Sequence, residues 1–322
     1  MASQTDAIRA HRHVLRGARR ALGPIAQARG TARIMLWLGA GITVFFILLA
    51  LLAPVVSPYP FDAYKDDGGR FAQLEGPSGD HPMGTTVQST DVMSRVVYGA
   101  QTALKVVVLS LLFSLVIGVP LGLLSGYFGG PLDRALVLVM DAMLAFPFLL
   151  IAIVVAFLIS GGGGTGVFAA AFAITVAYIP LYFRVIRNHV ISLKEESYVE
   201  AARALGARPF TIIRKYLFFN VVQNVPPIAT LNAADAILTL AALGFLGYGI
   251  QPTEAAEWGY DIQRAVSDAA SGIWWTAVFP GLAIVLLVTG LTLLGEGLNE
   301  TMNPVLRKRT IAKVDLDAPI PE

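Results

Sequence analysis

Two aspartates lie inside long apolar runs, where an ionisable side chain needs a reason to be present. Asp141 falls within residues 135–160, and Asp235 falls within residues 225–250. Carboxylates at membrane depth are costly, and they often mark a functional site. These two could line a transport pathway and meet the ammonium group of a substrate, or serve as the paired acids of an intramembrane enzyme. A hydrogen bond between helices, or a position at a solvated helix end, would also explain either residue.

Other catalytic and cofactor-binding patterns are missing from the sequence. The chain has no Cys, and its four His are scattered, which disfavours a thiolate or imidazole metal site. No G-x-x-x-x-G-K-[ST] loop is present to cradle phosphates, and no H-E-x-x-H or G-x-S-x-G motif occurs. We therefore expect a non-enzymatic chain without a metal, a cofactor or a nucleotide of its own.

Hydropathy indicates the elements that carry the two aspartates. The 322 residues are 55% hydrophobic and only 14% charged, whereas soluble domains carry about 25% charged residues. A helix that spans a bilayer needs about 20 mostly apolar residues, and six runs meet that requirement. They are too continuously apolar for barrel strands, so the sequence predicts an all-α, polytopic membrane protein with six transmembrane helices. The predicted spans are Ile34–Ala53, Val106–Phe128, Ala135–Ser160, Thr165–Phe183, Val225–Ile250 and Ile273–Leu294.

Basic residues are distributed unevenly among the loops. Seven Arg precede residue 34 and seven basic residues lie within 184–215, whereas the loop 55–100 holds three basic and six acidic residues. Because basic loops stay on the cytoplasmic side, we expect both termini in the cytoplasm. The predicted organisation is a basic cytoplasmic segment 1–33, a first transmembrane helix 34–54, an external loop 55–100, a five-helix core 101–300 and a cytoplasmic tail 301–322.

A polar segment, EESYVEAARALGARPFTIIRKY at residues 195–216, interrupts the apolar core. Ser197 and Glu200 have the spacing of a capping box at a helix start, and Ser192 and Glu195 have the same spacing earlier, so the pattern leaves the exact start open. Gly206 suits the left-handed position after a helix, and Pro209 suits the first turn of the next one. The segment, part of a loop at about 190–215, is therefore predicted to form a helix, a glycine break and a second helix.

The first of these helices has a face of small and apolar residues with no predicted partner in the same chain. This face consists of Ala201, Ala202 and Leu205. Either another protein covers it, or the loop lies on lipid headgroups. Glu200 could contact such a partner or only cap its own helix.

Several motifs together resemble those of a known family. EAARALG at Glu200–Gly206 is similar to the EAA signature of ABC-importer permeases, in which Gly follows the Glu-Ala-Ala triplet after three residues. HPMGTTVQSTDVMSRVVYGAQTAL, GVPLGLLSGYFGG, LAFPFLL, GFLGYGIQP and WWTAVFPGLAIVLLVTGLTLLGEGL resemble the C-type permease of dipeptide, oligopeptide and nickel importers. The resemblance covers about residues 34–307, and the motifs keep the family's order.

This resemblance implies the architecture of a type I ABC importer permease, with a cytoplasmic coupling helix that fits a groove on an ATPase subunit. It also implies a homologous second permease, two ATP-binding subunits that hold ATP and Mg, and an external substrate-binding protein. The implied location is the bacterial plasma membrane, where the chain contacts lipid. The resemblance implies no nucleic-acid partner. The implied coupling residues are Glu200, Ala201, Ala202, Arg203, Leu205, Gly206 and Arg208.

The chain departs from the family's pattern in three places. Thr86, Ser89 and Thr90 stand where the family usually has Asp, Gly and Arg. Phe219 replaces a Pro after the paired helices, and Leu240 stands where many relatives have a Glu in the fifth span. These departures concern the external loop and the pore lining.

The function that the resemblance implies is import of di- or oligopeptides, with this chain forming the translocation pathway together with the second permease. The same machinery could import nickel or another small solute. A stand-alone channel or secondary transporter is the alternative from another class, and it would function without an ATPase.

Overall fold

The computed structural model describes residues 30–66, 68–161 and 166–302, and nearly all of its regular structure is helical. The predicted segment 1–33 and the tail 301–322 therefore lie almost entirely outside the described residues. The helices in chain order are α1 (Thr31–Leu51), α2 (Ala53–Val56), α3 (Val92–Phe128), α4 (Gly130–Leu144), α5 (Phe148–Ser160), α6 (Val167–Leu193), α7 (Ser197–Ala204), α8 (Pro209–Ile212), a π-helix (Ile213–Leu217), α9 (Phe218–Val222), α10 (Val225–Phe245), α11 (Trp258–Ala270) and α12 (Trp275–Met302).

Five of these helices, α1, α3, α6, α10 and α12, are long and apolar enough to cross a membrane. The third predicted span is instead a broken pair, in which α4 and α5 meet at an angle of 93°. Pro147 is the residue before α5, and a proline has no amide hydrogen to continue the hydrogen bonds of α4. The prediction of an all-α fold with six spans is confirmed when this bent pair counts as one span.

Helices α3 and α6 form the most extensive helix pair of the fold, and three glycines of α3 allow their close approach. A methyl group at Gly118 would lie 2.8 Å from Tyr182 Cβ, and one at Gly122 would lie 2.8 Å from the carbonyl oxygen of Phe183. Gly126 repeats the spacing one turn later, against Val190. Small residues at intervals of four let two helix backbones pack closely without a hydrophobic driving force from water.

Helix α3 begins before the predicted start of its span at Val106, because residues 92–105 are already helical. Asp91 caps this helix, and its Oδ2 accepts a hydrogen bond of 2.7 Å from the amide of Ser94. Arg95 lies in the first turn and is buried against Asp261, with Nε to Oδ1 at 2.7 Å. The polar residues that end the apolar run are thus satisfied inside the protein, so the helix continues beyond the segment that hydropathy identifies.

Two other spans end differently from their predicted boundaries. Helix α6 continues ten residues past Phe183, since the polar residues of its last turns make ion pairs with α4. Helix α10 ends at Phe245, five residues before the predicted end, because Gly247 adopts φ 83°, a left-handed conformation that ends a helix.

Residues 57–66 and 68–91 fold back onto the helix ends. They contain a short antiparallel pair, Lys65–Asp66 with Gly69–Arg70. Trp275 at the start of α12 donates from Nε1 to the carbonyl of Thr85 at 3.2 Å. His81 Nδ1 lies 2.9 Å from Asp91 Oδ1, and both side chains are buried. These contacts fix the segment on α3 and α12.

Candidate functional site

The polar segment forms the helical hairpin that its sequence predicts. Helix α7 ends at Ala204, and Gly206 adopts φ 80°. The amide of Gly206 donates to the carbonyl of Arg203 at 3.0 Å, and the amide of Ala207 donates to that of Ala202 at 3.0 Å. These are the two hydrogen bonds of a Schellman motif. Pro209 then opens α8, so the break and both helices occur where the sequence places them.

The capping box predicted for Ser197 and Glu200 is wrong. The residue before α7 is Glu196, and no side chain caps the helix. Ser197 is already the first helical residue, so its hydroxyl cannot occupy the capping position. The side chain of Glu200 is exposed and makes no hydrogen bond or ion pair to any described residue. Capping therefore does not explain Glu200, and its carboxylate is available to a partner.

Helix α7 has an anchored face and a free face. Val199 and Ala202, three residues apart, are buried, whereas Ala201 is exposed and Leu205 is 88% exposed. The expectation that the small-residue face lacks any partner in the chain is thus wrong for Ala202, because the hairpin itself covers it. The remaining free surface is apolar at Leu205, a side chain large enough to fill a pocket on another protein.

The free surface extends across the turn into α8. Phe210 is 71% exposed, and Arg203, Arg208 and Glu200 are exposed around it. Within the part of the chain that the structure describes, none of these three charges has an ion-pair partner. An apolar centre with a charged rim is the usual composition of a protein interface. We call the surface formed by Glu200, Ala201, Arg203, Leu205, Arg208 and Phe210 the coupling surface.

Tyr198 flanks this surface. Burial raises the pKa of its phenol, and the charge of Glu196 raises it further. The side chain is therefore a neutral hydroxyl at physiological pH and can donate a hydrogen bond to a partner. Sequence reasoning missed Tyr198 and Phe210, although an aromatic residue in a polar segment is a recognisable interface signal.

A cluster of buried apolar residues packs against the hairpin. It joins the hairpin to the ends of three long helices, α3, α6 and α10. Its buried members are Val119, Leu123, Ile186, Val190, Val199, Ile212, Ile213, Leu217, Val221 and Val225. Because close-packed interiors transmit displacement rather than absorb it, a force on the coupling surface reaches those helices.

The two intramembrane aspartates are not joined to each other. Asp141 pairs with Arg184 of α6, with Oδ1 and Nη2 2.7 Å apart, so it makes the interhelical contact that was one of its predicted explanations. Asp235 is exposed on α10, and its side chain makes no hydrogen bond to a described residue. A paired-acid enzyme site is therefore not formed by these residues. Among the described residues, no group of three His, Cys, Asp or Glu could hold a metal ion.

Comparison with known proteins agrees with this geometry. The family described as "Binding-protein-dependent transport system inner membrane component" matches residues 118–308. The dipeptide transport system permease protein DppC of Alkalihalophilus pseudofirmus is 36% identical over 84% of this chain and 85% of its own length. The glutathione transport system permease protein GsiD of Pectobacterium atrosepticum is 34% identical over 83% and 86%. The di/tripeptide permease DppC of Pseudomonas aeruginosa is 33% identical over 82% and 86%.

A solved structure has the same fold. An inward-facing form of the MetNI methionine ABC transporter aligns with a TM-score of 0.52 and 24% identity, over 66% of this chain and 98% of that one. The resemblance drawn from the sequence motifs is confirmed. Members of the family are non-catalytic membrane subunits, and ATP hydrolysis takes place in their partner subunits. This chain therefore belongs to the binding-protein-dependent transport system inner membrane components, as the permease subunit of a bacterial ABC importer.

Proposed function

We propose that this permease imports di- or oligopeptides. Three relatives with at least 33% identity carry names of dipeptide, di/tripeptide and glutathione transport systems, and all of these substrates are small peptides. Close similarity over most of both chains supports a shared substrate class. Import of nickel or another small solute by the same machinery is the competing assignment, and the transport assay below separates the two.

The coupling surface is the observation that carries the mechanism. In the proposal, an ATPase subunit binds Leu205 and Phe210 at its centre and meets Glu200, Arg203 and Arg208 at the rim. Ala201 keeps the surface smooth enough for close approach. Ala202 and Gly206 act indirectly: Ala202 packs inward, and Gly206 supplies the left-handed turn that sets the direction of α8.

Movement of the ATPase then shifts the hairpin, and the apolar cluster beneath it carries the shift to the membrane helices. Val199 connects α7 to that cluster, in which Leu123 of α3 and Ile186 of α6 are members. In the proposal the spans alternate between outward-open and inward-open arrangements. This chain supplies the pathway and the mechanical link, but no covalent chemistry.

Because this chain supplies only the pathway and the mechanical link, the proposal requires further subunits. A homologous second permease completes the pathway, two ATP-binding subunits supply ATP and Mg, and an external binding protein delivers the substrate to the segment 54–100. The membrane is the bacterial plasma membrane, and the excess of basic residues at 1–33, 184–215 and 301–322 supports cytoplasmic termini. Asp235, and Asp141 with its partner Arg184, are the charged groups that we assign to the translocation pathway.

The docking step can be tested with variants of Leu205. Leu205→Glu places a charge at the centre of the coupling surface, and Leu205→Met is the matched control because it keeps an apolar side chain of similar volume. Loss of one buried Leu costs about 1.5–3 kcal/mol, so co-purification of the ATPase subunit should fall by roughly tenfold or more. Undiminished ATPase association and uptake in Leu205→Glu, and also in Glu200→Lys, would contradict the docking proposal.

The substrate can be tested with the reconstituted importer, its binding protein and ATP. Uptake of labelled di-, tri- and pentapeptides is compared with uptake of nickel under the same conditions. The proposal expects peptide uptake that requires ATP. Uptake of nickel alone would overturn the peptide assignment, and peptide uptake without the ATPase subunits would favour a stand-alone channel or secondary transporter.

A further inference from the structure

Lys105 is a cation with no role in the proposed transport mechanism. It lies on α3, and its side chain is exposed. Its Nζ donates to Gln101 Oε1 at 2.8 Å, and no carboxylate pairs with it in the described part of the chain. A charged side chain inside the bilayer is costly, whereas a lysine near a helix end can extend its ammonium to the interface and meet an anion there.

Lys105 stands at the edge of a large apolar groove of about 850 Å³. Residues of α1, α3, α6, α10 and α12 line the groove, including Ile47, Val108, Phe168, Ala233 and Leu291. Among the described residues that line it, Lys105 is the one charged side chain. The groove thus offers a long apolar wall and a single positive charge.

Hydrogen bonds place that charge at one end of the membrane span. Gln101 Nε2 donates to the carbonyl of Ala50 at 3.1 Å, and Ala50 is next to the last residue of α1. Lys105 follows Gln101 by one turn, about 6 Å along the helix axis, but its ammonium points back to Gln101. The ammonium therefore lies near the end of α1, where we place the lipid headgroups, while the groove continues along the helices to Leu291 and Ala233.

We propose that this groove binds an anionic phospholipid. The phosphate of the lipid pairs with the ammonium of Lys105, and an acyl chain lies along the apolar wall. A lysine whose stem runs through apolar surroundings and whose charge reaches the interface is a known arrangement in membrane proteins. A net anionic lipid is favoured over a zwitterionic one, because the phosphate of the latter already has its own ammonium nearby.

The composition of the groove argues against a peptide as its occupant. A peptide would satisfy Lys105 with its carboxylate but would also bring several amide groups. Thr230 donates its hydroxyl to the carbonyl of Pro226 in its own helix, and the side-chain amide of Gln101 is bonded to Ala50 and Lys105. Among the described polar side chains of the lining, only the Thr43 hydroxyl lacks a hydrogen-bond partner, and one hydroxyl cannot satisfy several amides. Buried amides without hydrogen-bond partners are costly, whereas an acyl chain has no polar groups that need such partners.

The test uses the complete importer complex, purified and placed in nanodiscs that contain phosphatidylglycerol or phosphatidylcholine. Retained lipid is measured by native mass spectrometry after release into detergent. Lys105→Met should reduce retained phosphatidylglycerol at least tenfold, while Lys105→Arg keeps it. Lys65→Met, at an exposed lysine of the short external strand pair, is the matched control and should change nothing. Val108→Trp fills the groove without a change of charge and should displace the same lipid.

Three results would overturn the proposal. The first is equal retention of phosphatidylglycerol by wild type, Lys105→Met and Val108→Trp. The second is a disulfide between the introduced thiol of Val108→Cys and a thiol introduced in the second permease, in a complex that retains no lipid, because a protein would then fill the groove. The third is unchanged lipid retention in Lys105→Met together with a raised KM for peptides but not for their carboxyl-amidated forms. The lipid measurement needs no transport activity, so its outcome is independent of the proposed substrate.

Discussion

Arg187 of α6 holds both carboxylate oxygens of Asp133 on α4, with Nε to Oδ1 at 2.6 Å and Nη2 to Oδ2 at 2.7 Å. Ser125 of α3 donates to the same carboxylate at 2.5 Å. Three helices therefore meet at one aspartate, close to the point where α6 leads into the coupling hairpin. Such a bidentate pair fixes geometry as well as energy.

Asp133→Asn should destabilise the protein, because the amide can satisfy only part of the Arg187 fork. We expect the free energy of unfolding to fall by about 2 kcal/mol. Removing one partner of an exposed ion pair costs less than that, and removing one partner of a fully buried ion pair costs about 3–5 kcal/mol. Thermal unfolding in detergent measures the loss. Asp141→Asn is the matched control, since the Asp141–Arg184 pair is about half exposed on both sides and its removal should cost under about 1 kcal/mol. Equal losses in the two variants would contradict the structural role of Asp133.

Ser89→Gly should stabilise the protein. Ser89 has φ 61°, is fully buried, and its Oγ has no hydrogen-bond partner. Left-handed backbone costs a non-glycine residue roughly 1–2 kcal/mol, and the family resemblance places a Gly at this position. Ser89→Ala separates the two effects, because it removes the unpaired hydroxyl but keeps the backbone cost. A melting temperature of Ser89→Gly at or below that of Ser89→Ala would show that the backbone conformation carries no cost.

Gly122→Ala should disrupt the contact between α3 and α6. The added methyl group would lie 2.8 Å from the carbonyl oxygen of Phe183 and 2.8 Å from Ile186 Cβ, and neither neighbour can rotate away. Overpacking of this kind costs about 1–3 kcal/mol, which thermal unfolding would detect. Gly41→Ala in α1 is the control, because a methyl group there meets nothing within 4 Å and should be neutral or slightly stabilising in a helix.

Glu257 should make stability depend on pH. Its carboxylate caps α11 and accepts hydrogen bonds of 2.8 Å from the amides of Gly259 and Tyr260, but burial raises the pKa of Glu257 from 4.5 to about 8. Between those values the folded state holds a proton that the unfolded state has lost. The contribution of this group to stability is therefore complete below about pH 4.5, falls as pH rises, and is lost near pH 8.

Comparison of wild type with Glu257→Gln isolates this effect. Unfolding free energies are measured at several values between pH 5 and pH 8. The wild type should lose up to about 1.4 kcal/mol more per pH unit than the variant. Parallel pH profiles for the two proteins would mean that Glu257 titrates alike in the folded and unfolded states.

The sequence by itself determined the class of this protein. Continuous apolar runs can be satisfied in lipid only as helices, so the span count followed from hydropathy. The sharp bend before Pro147, the start of α3 and the ends of α6 and α10 did not follow from it. Gly206 and Pro209 also determined the coupling hairpin. Gly206 permits a left-handed conformation that few other residues adopt, and Pro209 pre-sets the helical φ of the first turn, where no amide hydrogen is needed. The motifs supplied the family, since their order along the chain is itself informative.

Only the tertiary structure decided which side chains are free. The spacing of Ser197 and Glu200 fits a capping box, but the chain enters α7 one residue earlier than that box requires, so Glu200 faces outward instead. Ala201 and Ala202 are chemically alike, yet one is exposed and the other packs inward. Asp141 and Asp235 both lie inside apolar runs, but Arg184 pairs only with the first. In each case the deciding contact joins residues far apart in the chain or depends on where a helix begins, and local sequence spacing carries no information about either.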